Sequence, residues 1–228
     1  MAPLVEQAGI CTADEFTAET ADIAKYQADY PILSSIPADK ISQRTLEGYL
    51  FPDTYSIPTE GGNGAQKLVE AMLTRFSEVF TDDMAQTAES SNRTVDDVVI
   101  LSSIVELETK LPEDRADAAS VFYNRMAQSM PLQSDITVDY ANGTKTPVLT
   151  TEQTQIDSPY NTYINLGLPL GPICSPGEGS IEAALNPSDT KYVYFVADMD
   201  TGKLHFNETL EGHNQDVATY MSDASNTQ

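Results

Sequence analysis

The sequence predicts an α+β fold in which helices come first and a small antiparallel β element comes late. Apolar residues recur at helical spacing between residues 65 and 128. The apolar run Tyr192–Val196 is followed by the turn-forming segment Asp200–Gly202, a pattern typical of a β-hairpin. No strand–helix alternation of the kind that builds a parallel sheet is present. We therefore expect a helical half packed against late strands.

The composition favours a folded, acidic protein and argues against nucleic acid as a partner. Hydrophobic residues make up 40% of the 228 residues, enough for one sizeable core or one domain with a small appendage. Lys and Arg number only 12 against 35 Asp and Glu, which gives a formal net charge of -23. Because nucleic-acid binding needs a basic surface, we expect no nucleic-acid partner.

Targeting and metal-binding signals are weak. No stretch approaches the roughly 18 apolar residues of a membrane-spanning helix, and no signal peptide precedes residue 4. The opening residues already resemble the middle of a domain, so we expect a piece of a longer protein. Cys11 and Cys174 could form one disulfide or remain two free thiols. Two His and two Cys cannot build a zinc cluster of the usual spacing, and a carboxylate-rich calcium site stays open although no D-x-D-x-D-G run is present.

The first 90 residues are expected to hold short helices, then loops, then one long helix. Residues 4–30 predict one or two short helices with Thr12 as an N-cap. Residues 31–64 are rich in Pro, Gly and Ser and predict loops with room for one short strand. Residues 65–90 predict a single amphipathic helix. Its apolar positions are Leu68, Met72, Phe76, Val79 and Phe80.

Two further helices follow in the middle of the chain. The first should cover residues 94–111, with Thr94 and Asp97 forming a relative of the capping box and Pro112 ending the helix. The second should cover residues 115–128.

The last hundred residues differ in composition from the helical part before them. Residues 131–179 are dominated by turn-forming and polar residues and predict loops. Residues 192–196 and 203–206 predict the two strands of a hairpin, and residues 208–222 a closing helix.

A helical wheel places two glutamates of the 94–111 helix on opposite sides. Glu108 lies at the centre of an apolar arc whose members fall within about 60° of it. Those members are Leu101, Ile104, Val105 and Leu111. Glu106 falls about 160° away, so the two carboxylates cannot act as a facing pair.

The position of Glu108 suggests acid–base chemistry. A carboxylate on an apolar stripe loses hydration when it is charged, which raises its pKa toward the value that a general acid needs at neutral pH. Cleavage of a glycosidic bond requires such a proton donor. The residues alone leave open the other interpretation, in which Glu108 lies near the helix end and reaches solvent past Pro112.

Six ordered segments resemble one known family. Residues 103–109, S-I-V-E-L-E-T, resemble the S-I-V-E-x-E-T signature of the YceG-like (MltG) endolytic murein transglycosylases. The other segments are 47–55 (E-G-Y-L-F-P-D-T-Y), 119–125 (A-S-V-F-Y-N-R), 132–138 (L-Q-S-D-I-T-V), 158–169 (S-P-Y-N-T-Y through G-L-P) and 194–214, with Tyr194–Asp198, His205–Phe206 and His213–Asn214. The resemblance covers roughly residues 44–222. Leu170 and Ile136 stand where the family usually has Pro.

The resemblance implies roles for individual residues. Glu108, the second glutamate of the signature, would be the catalytic residue, and no metal or organic cofactor would be needed. Glu106 would be structural, paired with Arg115 or Arg125, and Glu47 and Asn124 would support the site. Gln133, Asp135, Asn161 and Tyr163 are candidates for lining a sugar groove, and bracing of loops by hydrogen bonds is the alternative role for each.

The resemblance also implies an organisation and a function. Residues 44–225 would form the catalytic domain with a lysozyme-like cleft, and residues 1–43 a helical remnant linking it to LysM-like and membrane parts that are missing here. The domain would lie outside the cell membrane, held by a single-pass anchor in the full-length protein. Its substrate would be peptidoglycan glycan strands, cleaved without water at the MurNAc-β-1,4-GlcNAc bond to leave 1,6-anhydro-MurNAc ends, and cell-wall synthases would be further partners.

Three alternatives remain open from the sequence. The first is a hydrolytic muramidase that uses Glu108 with a second carboxylate such as Asp135. The second is a non-catalytic cell-wall module that recruits synthases. The third is an acidic substrate-binding domain, which would have no groove carboxyl with a raised pKa.

Overall fold

The computed structural model describes residues 1–58, 60–146 and 149–221. Within them it has ten α-helices and one two-stranded antiparallel sheet late in the chain, which confirms the α+β prediction. The helices are α1 (Ala2–Gln7), α2 (Ala13–Ala21), α3 (Ile23–Tyr26), α4 (Gly64–Val79), α5 (Asp82–Ser90), α6 (Val95–Glu108), α7 (Arg115–Ala127), α8 (Asp135–Asn142), α9 (Glu178–Leu185) and α10 (Leu210–Tyr220). The strands are β1 (Tyr194–Ala197) and β2 (Leu204–Asn207).

The N-terminal helices pack onto the main core. Thr12 caps α2 as predicted: its hydroxyl accepts from the Glu15 backbone N–H at 3.2 Å, and the Glu15 carboxylate accepts from the Thr12 N–H at 2.8 Å. Phe16 and Ile23 are buried in the same hydrophobic cluster as α4 and α6. Residues 1–43 therefore share one core with the rest of the chain, and their role as a linker stays a prediction.

The prediction of a single helix over residues 65–90 is wrong. Phe80, with ψ at 87°, leaves the helical conformation and ends α4. Thr81 then caps α5 by accepting from the Met84 N–H at 3.3 Å. The sequence does hold this signal, because Thr81 is followed by Asp82 and Asp83, an N-cap with an acidic first turn.

Residues 31–64 contain two short 3-10 segments in place of the short strand. These are Pro31–Ser35 and Ile41–Gln43, and the described residues of this stretch form no strand. A Pro at the start of the first segment fixes a backbone angle suited to a helical turn.

Helix α6 is the central helix of the core. The predicted capping box is present: the Thr94 hydroxyl accepts from Asp97 N–H at 3.0 Å, and the Asp97 carboxylate accepts from Thr94 N–H at 2.9 Å. Every residue from Val98 to Val105 is buried, so this part of the helix has no face exposed to solvent. The helical wheel, which predicts one apolar and one polar side, is therefore too simple for α6. The helix ends at Glu108, three residues earlier than predicted.

Helix α7 is close to its predicted bounds, whereas α8 was not predicted. Eight residues are too few for a helical period to stand out among turn-forming neighbours. Gly143 ends α8 in the left-handed conformation, with φ at 66°. Outside α8, the described part of the predicted loop 131–179 is mostly loop until α9 begins at Glu178. Pro147 and Val148 lie outside the described residues.

The predicted hairpin and closing helix are confirmed. Strands β1 and β2 pair in antiparallel fashion, with Phe195 opposite Phe206. The Asp114 carboxylate accepts from the Leu204 N–H at 2.8 Å, which fixes β2 to the start of α7. Helix α10 contacts both strands.

The described ranges contain neither a membrane-spanning helix nor a metal-binding cluster. No helix there is long and apolar enough to cross a membrane. No group of three or more His, Cys, Asp and Glu side chains in those ranges could hold a metal ion. Cys11 and Cys174 are free thiols, each partly buried.

Candidate active site

A groove of about 450 Å³ runs beside the end of α6. The residues before and at the start of α8 form one wall, with Gln133, Ser134 and Asp135. The hairpin and α10 form another, with Phe195 and His213 among the lining residues. The groove thus lies between the helical half and the late β element, where the fold brings distant parts of the sequence together.

Glu108 faces this groove from the last turn of α6. The residue is half-buried, and its Oε1 accepts a hydrogen bond from the Ser134 hydroxyl at 2.7 Å. The pKa of Glu108 is raised to about 7: burial raises it most, the hydrogen bond from Ser134 lowers it, and the charge of Asp135 raises it further. The negative end of the α6 dipole also disfavours the anion. Glu108 is therefore part protonated near neutral pH and can donate or accept a proton.

Arg125 fixes the two walls of the groove to each other. From the last turn of α7, its Nε donates to the Val193 carbonyl at 2.7 Å, just before β1. Its Nη1 donates to the carbonyls of Leu132 at 2.8 Å and Pro131 at 3.1 Å. One buried guanidinium therefore holds both the loop before α8 and the start of the hairpin.

Gln133 lies in the groove wall with a strained backbone. Its φ is 52°, in the left-handed region that residues with a Cβ rarely adopt. The strain is held by the Gln133 N–H, which donates to the Thr162 carbonyl at 3.1 Å, and by the Ser134 N–H, which donates to the Thr162 hydroxyl at 3.1 Å. Backbone strain of this kind is common at functional sites. Here the two hydrogen bonds to Thr162 fix the turn that brings Ser134 to Glu108.

Asp135 and Tyr163 form a pair in the same groove. The Tyr163 hydroxyl donates to Asp135 Oδ1. Burial and this hydrogen bond raise the pKa of Tyr163, so its hydroxyl keeps its proton. The structure thus brings Gln133, Asp135 and Tyr163 to the groove that Glu108 faces.

Asn161 is not among the residues that line the groove. Its side chain is fully buried. Its Nδ2 donates to the carbonyls of Thr154 at 3.1 Å and Ile156 at 2.9 Å, and its Oδ1 accepts from the Tyr163 N–H at 2.9 Å. The alternative role, bracing of a loop, fits these contacts, because an Asn can satisfy several backbone groups of a turn at once. Through them Asn161 positions Tyr163.

Glu106 lies on another side of α6 and contacts α9. Its Oε2 accepts from the Ser180 hydroxyl at 2.6 Å and from the Gly177 N–H at 3.3 Å, and lies 4.0 Å from Arg115 Nη2. Of the two predicted partners, the structure places Arg115 beside Glu106, while Arg125 binds backbone carbonyls. These contacts hold the end of α6 against the start of α9 and the start of α7.

The two remaining candidates are not in the groove wall. The Asn124 Nδ2 donates to the carbonyls of Thr190 at 3.0 Å and Tyr192 at 2.9 Å, and so supports the entry to β1. Glu47 lines a second cavity, where its Oε2 accepts from the Tyr140 hydroxyl at 2.6 Å.

Three polar residues of the groove are absent from the site predicted from the sequence: Ser134, Arg125 and His213. Ser134 stands between the candidates Gln133 and Asp135, but a Ser in a turn-rich segment has the same appearance in sequence whether it faces a groove or its own backbone. Arg125 was considered only as a partner of Glu106. His213, whose ring stacks on Tyr194 with centroids 5.4 Å apart, lines the opposite wall. Burial, and then the charge of Arg125, lower the pKa of His213. Its distance from Glu108 in sequence gave no signal of their proximity.

The fold and the groove define a class of protein: an α+β domain whose groove holds a half-buried carboxyl group that can exchange a proton near neutral pH. The chain belongs to the YceG-like family, whose model matches residues 4–219.

Two relatives of named activity and one solved structure support this family assignment. The chain is 37% identical over 225 residues to the endolytic murein transglycosylase of Streptococcus pneumoniae strain D39, covering 94% of this chain and 40% of that protein. It is 38% identical over 187 residues to the Bacillus subtilis protein of the same name, covering 81% and 50%. A crystal structure of a yceG-like protein from Listeria monocytogenes superposes with a TM-score of 0.84 at 35% identity, over 93% of this chain and 70% of that chain. The chain thus spans half or less of the length of these curated relatives.

Proposed function

We propose that this chain is the catalytic part of an endolytic murein transglycosylase that cleaves peptidoglycan glycan strands. The observation that carries the proposal is the half-buried Glu108, whose pKa is raised to about 7 in a groove between two walls. The names of the relatives support the substrate. The third alternative, a substrate-binding domain, predicts no such carboxyl and is disfavoured.

The proposed reaction needs only one carboxyl group. Protonated Glu108 donates to the bridging oxygen as the bond between that oxygen and MurNAc C1 breaks. The resulting carboxylate accepts the proton of the C6 hydroxyl of the same MurNAc, and O6 forms a bond to C1. The products are a GlcNAc end with a free hydroxyl and a 1,6-anhydro-MurNAc end, and no water is consumed.

Ser134 fits the second half of this reaction. Its hydroxyl donates to Glu108 Oε1 and therefore stabilises the carboxylate form, which must persist until the C6 hydroxyl gives up its proton. Burial favours the protonated form that the first half needs. The two influences together keep the Glu108 pKa near the working pH, as a group that serves as acid and then as base requires.

The groove gives little support to a two-carboxylate hydrolase. In such enzymes the two carboxyl groups flank the scissile bond. Among the described residues that line the groove, the carboxylates are Glu108 and Asp135, and the hairpin and α10 supply none. Asp135 directly follows Ser134, which binds Glu108, and it already accepts from Tyr163. Its place favours a substrate-binding or pKa-tuning role.

The chemistry of the new chain ends tests the proposal. Purified peptidoglycan is digested in water labelled with heavy oxygen, and the products are analysed by mass spectrometry. We expect 1,6-anhydro-MurNAc ends without the label. Labelled reducing ends would establish the hydrolytic alternative, and intact strands would favour the non-catalytic module.

The cellular setting follows from the substrate. We infer that the domain works outside the cytoplasmic membrane, where peptidoglycan lies. An N-terminal single-pass anchor in the full-length protein and binding to cell-wall synthases both stay predictions. The synthase prediction is tested by a pull-down from membrane extract with the full-length protein, and it is refuted if no cell-wall synthase is recovered.

A further inference from the structure

A second cavity of about 190 Å³ lies apart from Glu108. Its described lining is polar and aromatic and includes Gln43, Arg44, Thr45, Glu47, Tyr140 and Tyr160. None of these side chains lines the Glu108 groove. The cavity therefore has no part in the proton transfers proposed above, although it holds the first residue of the E-G-Y-L-F-P-D-T-Y segment.

The walls of this cavity are held in fixed positions. Arg44 and Asp96 form a buried bidentate ion pair with N···O distances of 2.8 and 2.9 Å. Gly48 has φ at 93°, and a Cβ there would lie 2.4 Å from the Pro172 ring, so only glycine fits. That close approach fixes the adjoining Glu47. A site built in this way is preorganised, which lowers the entropic cost of binding.

The chemistry of the lining suits a neutral sugar. Tyr140 is 37% exposed, and its ring lies 4.8 Å from that of Tyr160 between centroids, tilted by 48°. Aromatic faces bind the C–H faces of a sugar ring, and amide, hydroxyl and carboxylate groups recognise its polar substituents. The Glu47 carboxylate accepts one hydrogen bond from Tyr140 and retains lone pairs for a ligand hydroxyl. The Arg44 charge is balanced by Asp96, so the cavity does not select an anion.

Its position allows one glycan strand to reach both cavities. Tyr160 lines the second cavity and Tyr163 lines the Glu108 groove. These residues are three apart on one loop, so their Cα atoms are separated by at most about 10 Å. Asp135 and Tyr140, again one in each cavity, are separated by about 7.5 Å along the axis of α8 and by about 140° around it, so a strand that occupies both cavities passes around this helix. A short oligosaccharide spans such distances.

We infer that the second cavity is a distal glycan subsite, which binds an N-acetylated amino sugar of the same strand that is cut at Glu108. This inference rests on the proposed function and extends it, since it predicts that cleavage improves once a strand is long enough to occupy both cavities. The peptide stems of peptidoglycan are the competing ligand for a carboxylate beside two tyrosines.

The test separates binding from turnover. Peptide-free glycan strands are prepared in two lengths: the shortest that the enzyme cleaves and strands several times longer. Binding is measured in the Glu108→Gln background for the parent, for Tyr140→Ala and for Tyr140→Leu, which fills the volume without a flat ring. Tyr30, a partly buried tyrosine outside both cavities, supplies the control Tyr30→Leu.

The expected result is a loss that depends on length. Both Tyr140 variants should bind long strands about three- to tenfold more weakly, as the loss of one aromatic contact predicts, and short strands as well as the parent does. With Glu108 restored, kcat/KM should fall by the same factor on long strands alone. Tyr30→Leu should change neither.

Three results would overturn the subsite. They are equal losses on both lengths, no loss on long strands, and a loss that appears only when stem peptides are present, which would make the peptide the ligand. If the enzyme with native Glu108 cleaves no glycan while the Tyr140 variants still lose binding to long strands, the proposed function fails and the subsite stands.

Discussion

At the scale of single residues, the pKa of Glu108 is set by burial and by two neighbouring side chains. Burial raises it, the Ser134 hydroxyl lowers it and the Asp135 charge raises it. The balance leaves the group near pH 7, where it can both give and take a proton. The influences of Ser134 and Asp135 can each be removed by one substitution, which gives separate predictions for the pH dependence of activity.

The first prediction is an alkaline limb in the pH profile. Only the protonated form of Glu108 can start the reaction, so kcat/KM on glycan strands should be flat in mild acid and fall as pH rises above about 7. A profile that rises through this range would show that the free enzyme needs the carboxylate instead.

The second prediction is that two neighbours shift this limb in opposite directions. Ser134→Ala removes a hydrogen bond that stabilises the carboxylate, so the limb should move to higher pH. Asp135→Asn removes a negative charge that opposes ionisation, so the limb should move to lower pH. Shifts of the same sign in both variants would contradict the assigned roles. Loss of activity without a shift in either would limit these residues to substrate contacts.

The third prediction concerns stability. The Glu108 pKa is raised in the folded protein to about 7 from 4.5, so the folded state binds more protons between these values and loses stability as pH rises through them. Glu108→Gln removes that loss. It should raise the free energy of unfolding by about 2 kcal/mol at pH 8, after allowance for partial exposure, and by almost nothing at pH 4. Denaturant unfolding at both pH values measures this, and equal effects at both would contradict it.

At the scale of elements, the ends of helices carry the site. Glu108 closes α6, Arg125 lies in the last turn of α7 and Asp135 begins α8. The caps of α2 and α6 could be predicted because Thr with an acid three residues on is a local signal. The break between α4 and α5 and the short helix α8 could not be predicted from apolar spacing, since one lies within a continuous pattern and the other is too short to show one.

The fourth prediction concerns the tie between α6 and α9. Glu106→Gln keeps the size of the side chain but weakens its bonds to Ser180 and Arg115. Because both charged side chains are partly exposed, the free energy of unfolding should fall by only about 1 kcal/mol. Thermal or denaturant unfolding measures this. A loss of several kcal/mol would mean that the ion pair is effectively buried.

At the scale of the whole molecule, the groove exists because distant segments meet. The resemblance of ordered segments to a known family allowed Glu108, Gln133, Asp135, Asn161 and Tyr163 to be predicted as one site, and all of them except Asn161 line the groove. The packing of α10 against the hairpin, which brings His213 to the opposite wall, depends on contacts that no local pattern encodes. The same limit applies to Asn161, because a polar residue in a turn-rich segment has the same appearance in sequence whether it faces a ligand or its own backbone.

The central claim is that Glu108 alone supplies the acid and the base. The most direct test compares Glu108→Gln with Glu106→Gln, two identical chemical changes two residues apart on one helix. Turnover of purified glycan strands is measured on samples matched for folded fraction. Glu108→Gln should lower turnover by at least about 10²–10⁴-fold, the usual range for one general acid–base role, while Glu106→Gln should stay near the native rate. If Glu106→Gln abolishes turnover and Glu108→Gln retains it, the assignment of the catalytic carboxyl is wrong.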